Sequence, residues 1–177
     1  MKRFSDGLMT TVEYESAVRE HKDRVYGYAR SLLRDSEEAR DAAQECLVKL
    51  WQHKDHVEPG IGCRNWLLRA AHNHCIDRIR RRNVRAEVDP EESFEPVDVR
   101  PGPERLAASS HAAGTLERAL MGLTERDRAI VLLREVEGLP YEEIASILGM
   151  NLGTLKATLH RARERLRRDL VRQEVTP

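Results

Sequence analysis

The stretch Leu139-Pro140-Tyr141-Glu142-Glu143-Ile144-Ala145-Ser146-Ile147-Leu148-Gly149-Met150-Asn151-Leu152-Gly153-Thr154-Leu155-Lys156-Ala157-Thr158-Leu159-His160 decides how this chain folds. Pro140 suits the first helical position, where its missing N–H would be unpaired anyway. Glu142 and Glu143 set negative charge at the positive end of a short helix. Ile144, Ala145, Ile147 and Leu148 recur at helical spacing and mark its core side. Gly149 falls where the chain needs a left-handed residue, and Asn151 caps the helix that follows. A short helix, a glycine turn and a capped basic helix make the pattern of a DNA-binding helix-turn-helix.

Read at ~100° per residue, the second helix carries Leu155, Leu159, Ala162, Leu166 and Leu170 in one arc, the core stripe. Lys156, His160, Arg163 and Arg167 fill a second arc, and Arg161, Arg165, Arg168 and Arg172 a third. A solvated face usually mixes signs, whereas here only Glu164 and Asp169 interrupt the bases. Gly153, Thr154, Lys156, Ala157 and His160 occupy the turns that would meet base edges, and the later arginines suit phosphates. Upstream, Thr124 caps a helix with Asp127 at its third position, and Ile130, Val131, Leu133 and Val136 are expected as its buried stripe before Gly138 stops it.

The other half is also helical by periodicity, over about Val12–Leu33, Ser36–His53 and Arg64–Arg82, with Ser36 as an N-cap and a break at Asp55–Gly62 around Pro59 and Gly60. The helix around Asp41 to Trp51 has an apolar arc of Ala39, Ala42, Ala43, Cys46, Leu47 and Leu50. Opposite lie Asp41, Gln44, Glu45, Val48, Lys49 and Gln52. Val48 on that polar face is either part of a partner surface or a stray exposed valine. On the next helix Leu68, His72, Cys75, Ile76 and Ile79 take one side, and Trp66, Arg69, Asn73, Asp77 and Arg80 the other. A tryptophan, an asparagine and two arginines supply stacking, base-edge hydrogen bonds and phosphate contacts. On pattern alone, Trp66 packing in the core and Asn73 simply solvated fits as well.

Charge sorts the chain into blocks. Basic and acidic residues balance at 30 each, but what phosphate responds to is the local field. Arg64 to Arg85 holds seven arginines against Asp77, a net +6, and Leu152 to Arg172 nets +5. Between them Ala86 to Arg105 nets −5 and contains Pro90, Pro96, Pro101 and Pro103, an extended, flexible acidic linker. With 40% apolar and only 5% aromatic residues, the cores must be built from aliphatic side chains. No strand pattern is present. The expected fold is all-α, with two small helical domains, residues 1–83 and 109–177, joined by the linker 84–108.

No apolar run is long enough to span a bilayer and no signal-peptide core follows the N-terminus, so the expectation is a cytoplasmic protein without membrane insertion. Cys46, Cys63 and Cys75 lack framework spacing. His72-Asn73-His74-Cys75 resembles a metal site only superficially: His72 and Cys75 lie in the apolar arc with no second ligand pair, so they read as core residues and no metal or other cofactor is expected. No phosphate-binding glycine loop, nucleophile elbow or spaced catalytic carboxylate pair occurs, and no enzymatic activity is expected.

These motifs together resemble a known family. Asp41-Ala42-Ala43-Gln44-Glu45-Cys46-Leu47-Val48-Lys49-Leu50-Trp51 is similar to the core-binding helix of sigma region 2. Asn65-Trp66-Leu67-Leu68-Arg69, through Asn73 and Asp77 to Arg80-Arg81-Arg82, is similar to the helix that engages a promoter −10 element. Leu123-Thr124-Glu125-Arg126, Glu137-Gly138-Leu139, Tyr141 to Ala145, Gly149, Gly153-Thr154 and Arg161-Ala162-Arg163 resemble sigma region 4. Regions 2 and 4 in this order, with only a linker between, resemble the extracytoplasmic-function sigma factors of bacteria.

The resemblance implies an alternative sigma factor that brings RNA polymerase core to promoters. Region 2 would grip the beta-prime clamp helices through Asp41, Gln44, Glu45, Val48 and Lys49. It would open the −10 element with Val57, Trp66, Arg69, Asn73, Asp77 and Arg80, trapping a flipped base in the loop Asp55–Gly62. Region 4 would read the −35 element with Gly153, Thr154, Lys156, Ala157, His160, Arg161 and Arg163 while binding the beta flap, and the acidic linker would run toward the RNA exit channel. An anti-sigma factor is a further implied partner. The sequence departs from the family at Leu47, where Phe is usual, and at Val57, where an aromatic is frequent. Ala157 and Thr158 replace a common Ser and a common Arg, which bears on the −35 sequence read. Two other classes compete: a DNA-binding regulator with a sensing domain, which leaves Trp66, Asn73 and the linker unexplained, and a metal enzyme built on His72, His74 and Cys75.

Overall fold

The computed structural model describes residues 9–88 and 110–175. These form seven α-helices, and among the described residues there is no strand. The chain divides into two compact units, Met1–Val99 and Arg100–Pro177.

In the first unit α1 (Thr11–Leu33), α2 (Ser36–His53) and α3 (Ile61–Val88) pack pairwise against one another. Thr10 and Glu13 start α1 with a reciprocal capping box: the Glu13 N–H donates to Thr10 Oγ1 at 3.2 Å and the Thr10 N–H to Glu13 Oε2 at 2.8 Å. The cap of α2 is Asp35 rather than the expected Ser36. Its Oδ1 accepts from the N–H groups of Glu37 and Glu38, both at 2.8 Å, and a carboxylate also answers the helix dipole where a hydroxyl does not. The small residues of α2 (Ala39, Ala42, Ala43, Cys46) are buried and let the helices approach closely around Leu32, Leu33, Leu50, Leu67 and Leu68.

α3 is longer at both ends than its periodicity suggested. It begins at Ile61, straight after Gly60 at φ 75°, so Gly62 lies inside its first turn. A Cβ on Gly62 would come within 2.9 Å of the Glu58 Cβ, so the glycine permits the close approach of that loop. At the far end α3 continues through Val84 to Val88, and the first residues of the expected linker 84–108 are therefore helical. Nothing in Asn83–Val88 breaks a helix, and the first proline, Pro90, restricts only the residue before it. The rest of that linker, with its proposed flexibility, lies outside the described residues.

In the second unit α4 (Ser110–Met121), α5 (Glu125–Val131) and α6 (Tyr141–Leu148) each pack on α7 (Leu152–Val175). Thr124 caps α5 as expected, accepting from the Asp127 N–H at 3.2 Å. α5 then widens into a π-helical turn, Leu132–Val136, closed by a Glu137 N–H to Leu132 carbonyl bond of 3.0 Å. This turn corrects the expected stripe. Ile130, Val131 and Leu133 are buried, but the wider turn swings Val136 outward, where it is 68% exposed. Gly138, at φ 66°, ends the segment, with the Leu139 N–H reaching back to the Leu133 carbonyl. Pro140 sits at the N-cap of α6 rather than at its first helical position. Arg128 is fully buried: its Nε donates to the Leu120 carbonyl at 2.9 Å, and its Nη2 to the carbonyls of Leu123 and Met121 at 2.9 and 3.4 Å. It thereby supplies donors to the carbonyls where α4 ends, which have no partner within the helix.

Candidate nucleic-acid and polymerase interfaces

The helix-turn-helix is formed by α6, the left-handed Gly149 at φ 62°, and α7, whose start is capped by Asn151 Oδ1 accepting from the Thr154 N–H at 2.8 Å. Leu155, Leu159 and Ala162 are buried against the unit, Leu166 and Leu170 half so. That burial fixes the rotation of α7. Gly153, Thr154, Lys156, Ala157, His160, Arg161 and Arg163 all come out exposed. Thr158 does not. It is buried, with its hydroxyl near Arg161 Nη2 at 3.4 Å, so its difference from the family's Arg bears on packing and not on base reading.

Periodicity could not reveal what holds these side chains. Lys156 Nζ lies 5.6 Å from the Tyr141 ring centre, and the Arg134 guanidinium covers the same ring at 4.6 Å. Tyr141 is thus a platform that orients Lys156, one of the residues expected at the base edges. Arg134 is anchored in turn by a 2.8 Å bond to the Leu139 carbonyl. Arg163 pairs with Glu135, and Arg165 with Asp127 at 3.4 Å. The first pair is half-exposed on both sides and the second on its arginine side only, so the first is the weaker hold on its cation. They are tertiary contacts, and only the fold brings Glu135 and Asp127 to α7.

In the first unit Asp41, Gln44, Glu45, Val48 and Lys49 are all exposed on the outer face of α2, with Val48 at 54%. On α3, Arg69, Asn73, Asp77 and Arg80 are exposed. Trp66 takes a middle course: it is half-buried, its ring 5.8 Å from that of His53, so one face packs and one remains available. The two faces, read separately from the sequence, meet. A groove of about 440 Å³ is lined from α2 by Glu45, Lys49 and His53, and from α3 by Trp66, Arg69, Asn73, His74, Asp77, Arg78 and Arg81. Arg80 does not line it. His74 and Arg78 do, and their part in the site shows only when the two helices are side by side.

Val57 must be withdrawn from the −10 set. It is 2% exposed, tucked under the Lys54–His56 turn whose Lys54 carbonyl also accepts from the Met9 N–H at 3.2 Å. A valine there completes the core. Of the histidine–cysteine cluster Cys75 is buried, His72 is half-buried and His74 lines the groove. Tyr28 Oη and His72 Nδ1 are 3.0 Å apart, and burial pushes the His72 imidazole down to about 4. Burial likewise pushes the thiols of Cys46, Cys63 and Cys75 up to about 11, 11 and 12. Among the described residues no group of three or more His, Cys, Asp or Glu is placed to hold a metal ion.

Comparison with known proteins places this architecture. Sigma-70 region 2 matches residues 17–85, and Sigma-70, region 4 matches residues 113–166. The chain therefore contains both promoter-recognition regions of a sigma factor, a regulatory protein of transcription initiation. It is 36% identical over 155 residues to the ECF RNA polymerase sigma factor SigE of Mycolicibacterium smegmatis, covering 87% of this chain and 60% of that relative's length. It is 31% identical to the ECF RNA polymerase sigma factor SigW of Bacillus subtilis, covering 85% of this chain and 84% of that protein. The chain belongs to the extracytoplasmic-function group of the sigma-70 family. Its structure is similar to that of the sigma factor RpoE of Bartonella quintana, solved in complex with the anti-sigma factor NepR, at 25% identity and a TM-score of 0.77, covering 93% of this chain and 99% of that one. The fold is shared too with CnrH, solved with the cytosolic domain of CnrY, at 22% identity and a TM-score of 0.60. Among the described residues no helix is long and apolar enough to cross a membrane.

Proposed function

We propose that this chain directs RNA polymerase core to its promoters from the cytoplasm, through three surfaces and without a catalytic step of its own. Asp41, Gln44, Glu45, Val48 and Lys49 on α2 form the face for the beta-prime clamp helices. Trp66, Arg69, Asn73, Asp77 and Arg80 on α3 engage the −10 element. Gly153, Thr154, Lys156, Ala157, His160, Arg161 and Arg163 on α7 read the −35 element, while the same unit meets the beta flap. The first domain then extends to the end of α3, past residue 83, and the second holds residues 109–177. An anti-sigma factor is proposed as a further partner, by analogy with the relatives solved in such complexes.

The observation that carries this function is the outer face of α2: Asp41, Gln44, Glu45 and Lys49, all exposed, surround an apolar Val48, and Glu45 and Lys49 also line the cationic groove of α3. The test is a fluorescence titration of labelled chain with polymerase core. Asp41→Ala with Gln44→Ala is expected to weaken core binding at unchanged helix content by circular dichroism, because both side chains point away from the core of the unit. Unchanged affinity would mean that the partner face lies elsewhere.

A further inference from the structure

Glu45 belongs to the outer face of α2, with its side chain 51% exposed, yet both of its carboxylate oxygens are turned toward α3. Oε2 lies 3.2 Å from His74 Nδ1, and Oε1 lies 3.8 Å from Arg78 Nη2. Arg78 Nε donates in turn to His74 Nε2 at 3.0 Å, which closes a ring of three side chains across the two helices. Because Nε2 accepts, it carries no proton, so the neutral imidazole has its proton on Nδ1, aimed at Glu45. Burial is the largest influence on His74 and lowers its pKa, followed by the opposing effect of Glu45 and then the charge of Arg78. The imidazole is therefore a neutral connector, and the charge answering Glu45 is that of Arg78.

This ring sits in the groove that also holds Trp66, Arg69, Asn73 and Arg81. Like Asp77 in the same groove, the Glu45 carboxylate repels a phosphate backbone, and it also occupies a guanidinium that would otherwise bind one. We propose that Glu45 is a latch between the two working faces of the first unit, holding Arg78 away from nucleic acid in the free chain. When a cation on the polymerase takes up Glu45 at the α2 face, Arg78 is released to bind a phosphate in the groove. Arg78 thereby becomes a DNA-binding residue that acts only in the polymerase-bound state. The latch rests on the assignments of α2 as partner face and of the α3 groove as nucleic-acid surface. A half-exposed ion pair is held weakly enough for such an exchange.

The test uses the full chain and a fluorescein-labelled oligothymidylate strand, followed by anisotropy over a range of salt. Glu45→Gln is expected to tighten binding by the free chain several-fold and to steepen its salt dependence by about one unit, as one more cation reaches a phosphate. Glu37→Gln, which removes one charge from the exposed start of the same helix, is the control for simple loss of negative charge and should give a smaller gain with no change of slope. Arg78→Gln is expected to weaken binding, because Glu45 then stands unanswered in the groove, and adding Glu45→Gln to it should restore no more than Glu37→Gln gains and leave the slope unchanged, so the pair couples in a double-mutant cycle. Equal gains for Glu45→Gln and Glu37→Gln, or a steepened slope that survives Arg78→Gln, would overturn the latch. Titration of the same variants with core separates this from the assignment beneath it. If Glu45→Gln and Asp41→Ala both keep full core affinity, the α2 partner face is wrong and no polymerase cation releases the latch, whatever the oligonucleotide shows.

Discussion

Between Arg64 and Arg85 of α3 seven arginines face one acid, and between Leu152 and Arg172 of α7 seven bases face two. The two helices have almost the same charge and are stabilised differently. α7 exposes its bases on two arcs, and acids from its own unit meet two of them, Glu135 at Arg163 and Asp127 at Arg165. α3 lies beside α2, and its cations share a groove with Glu45. A buried arginine, Arg128, ties the second unit together, whereas a half-buried histidine, His72, bonded to Tyr28 sits in the first. Equal charge therefore does not mean equal surroundings: the acids that meet α7 come from α5 and the π turn, whereas Glu45, which meets α3, comes from the outer face of α2.

The largest expected effect tests the two supports. Arg128→Met leaves the Leu123 carbonyl without its guanidinium donor and takes one of two donors from the Leu120 carbonyl, and is expected to destabilise the second unit by ~1–3 kcal/mol. Urea unfolding followed separately in each unit should show only the second transition move; a shift in both would join units that the fold keeps distinct. Next is acid. His72 titrates at about 4 in the fold against an ordinary 6.5, so the unfolded chain takes up the proton first as pH falls. The stability it confers is complete above 6.5, falls between 6.5 and about 4, and is constant below that, a loss of at most ~3 kcal/mol. His72→Gln should flatten the acid limb of unfolding for the first unit alone, and an unchanged limb would remove the histidine from the comparison. Smallest are the effects on α7 itself. Lys156→Ala should change −35 preference by ~1–3 kcal/mol if the side chain makes a good base contact. Arg168→Ala should weaken all sequences alike and reduce the salt slope by about one unit. Transcription from promoters varied at −35 would show both patterns, and a uniform loss from Lys156→Ala would reduce α7 to a generic basic surface.

The fold was legible in the sequence wherever a local signal acted alone. Thr124, Gly149 and Asn151 do what their side chains and backbone preferences dictate, and α2 ends where its periodicity ends. The exposed faces of α2 and α7 followed from which residues had to be buried. What could not be read depends on partners distant along the chain. Val57 looks like a loop residue until the fold brings Met9 to the same Lys54 carbonyl, and Val136 looks buried until the π turn rotates it. Glu45, His74 and Arg78 are individually unremarkable surface residues, and Tyr141 reads as part of a motif rather than as the ring beneath Lys156. Periodicity assigns faces; it does not reveal which faces meet.

The π-helical turn at Leu132–Val136 can be understood as a change of phase. An α-helix continued from Val131 would advance ~100° per residue and aim Val136 back along the stripe of Leu132 and Leu133. The wider turn accommodates one residue more per circuit and delays everything after it. Because of that delay Glu135 faces Arg163 and Arg134 covers Tyr141, so the side chains that tune the recognition helix are set by a local count of residues several turns earlier. Deleting one residue from this turn would leave every charge in the sequence of α7 unchanged, yet aim its supporting shell in another direction.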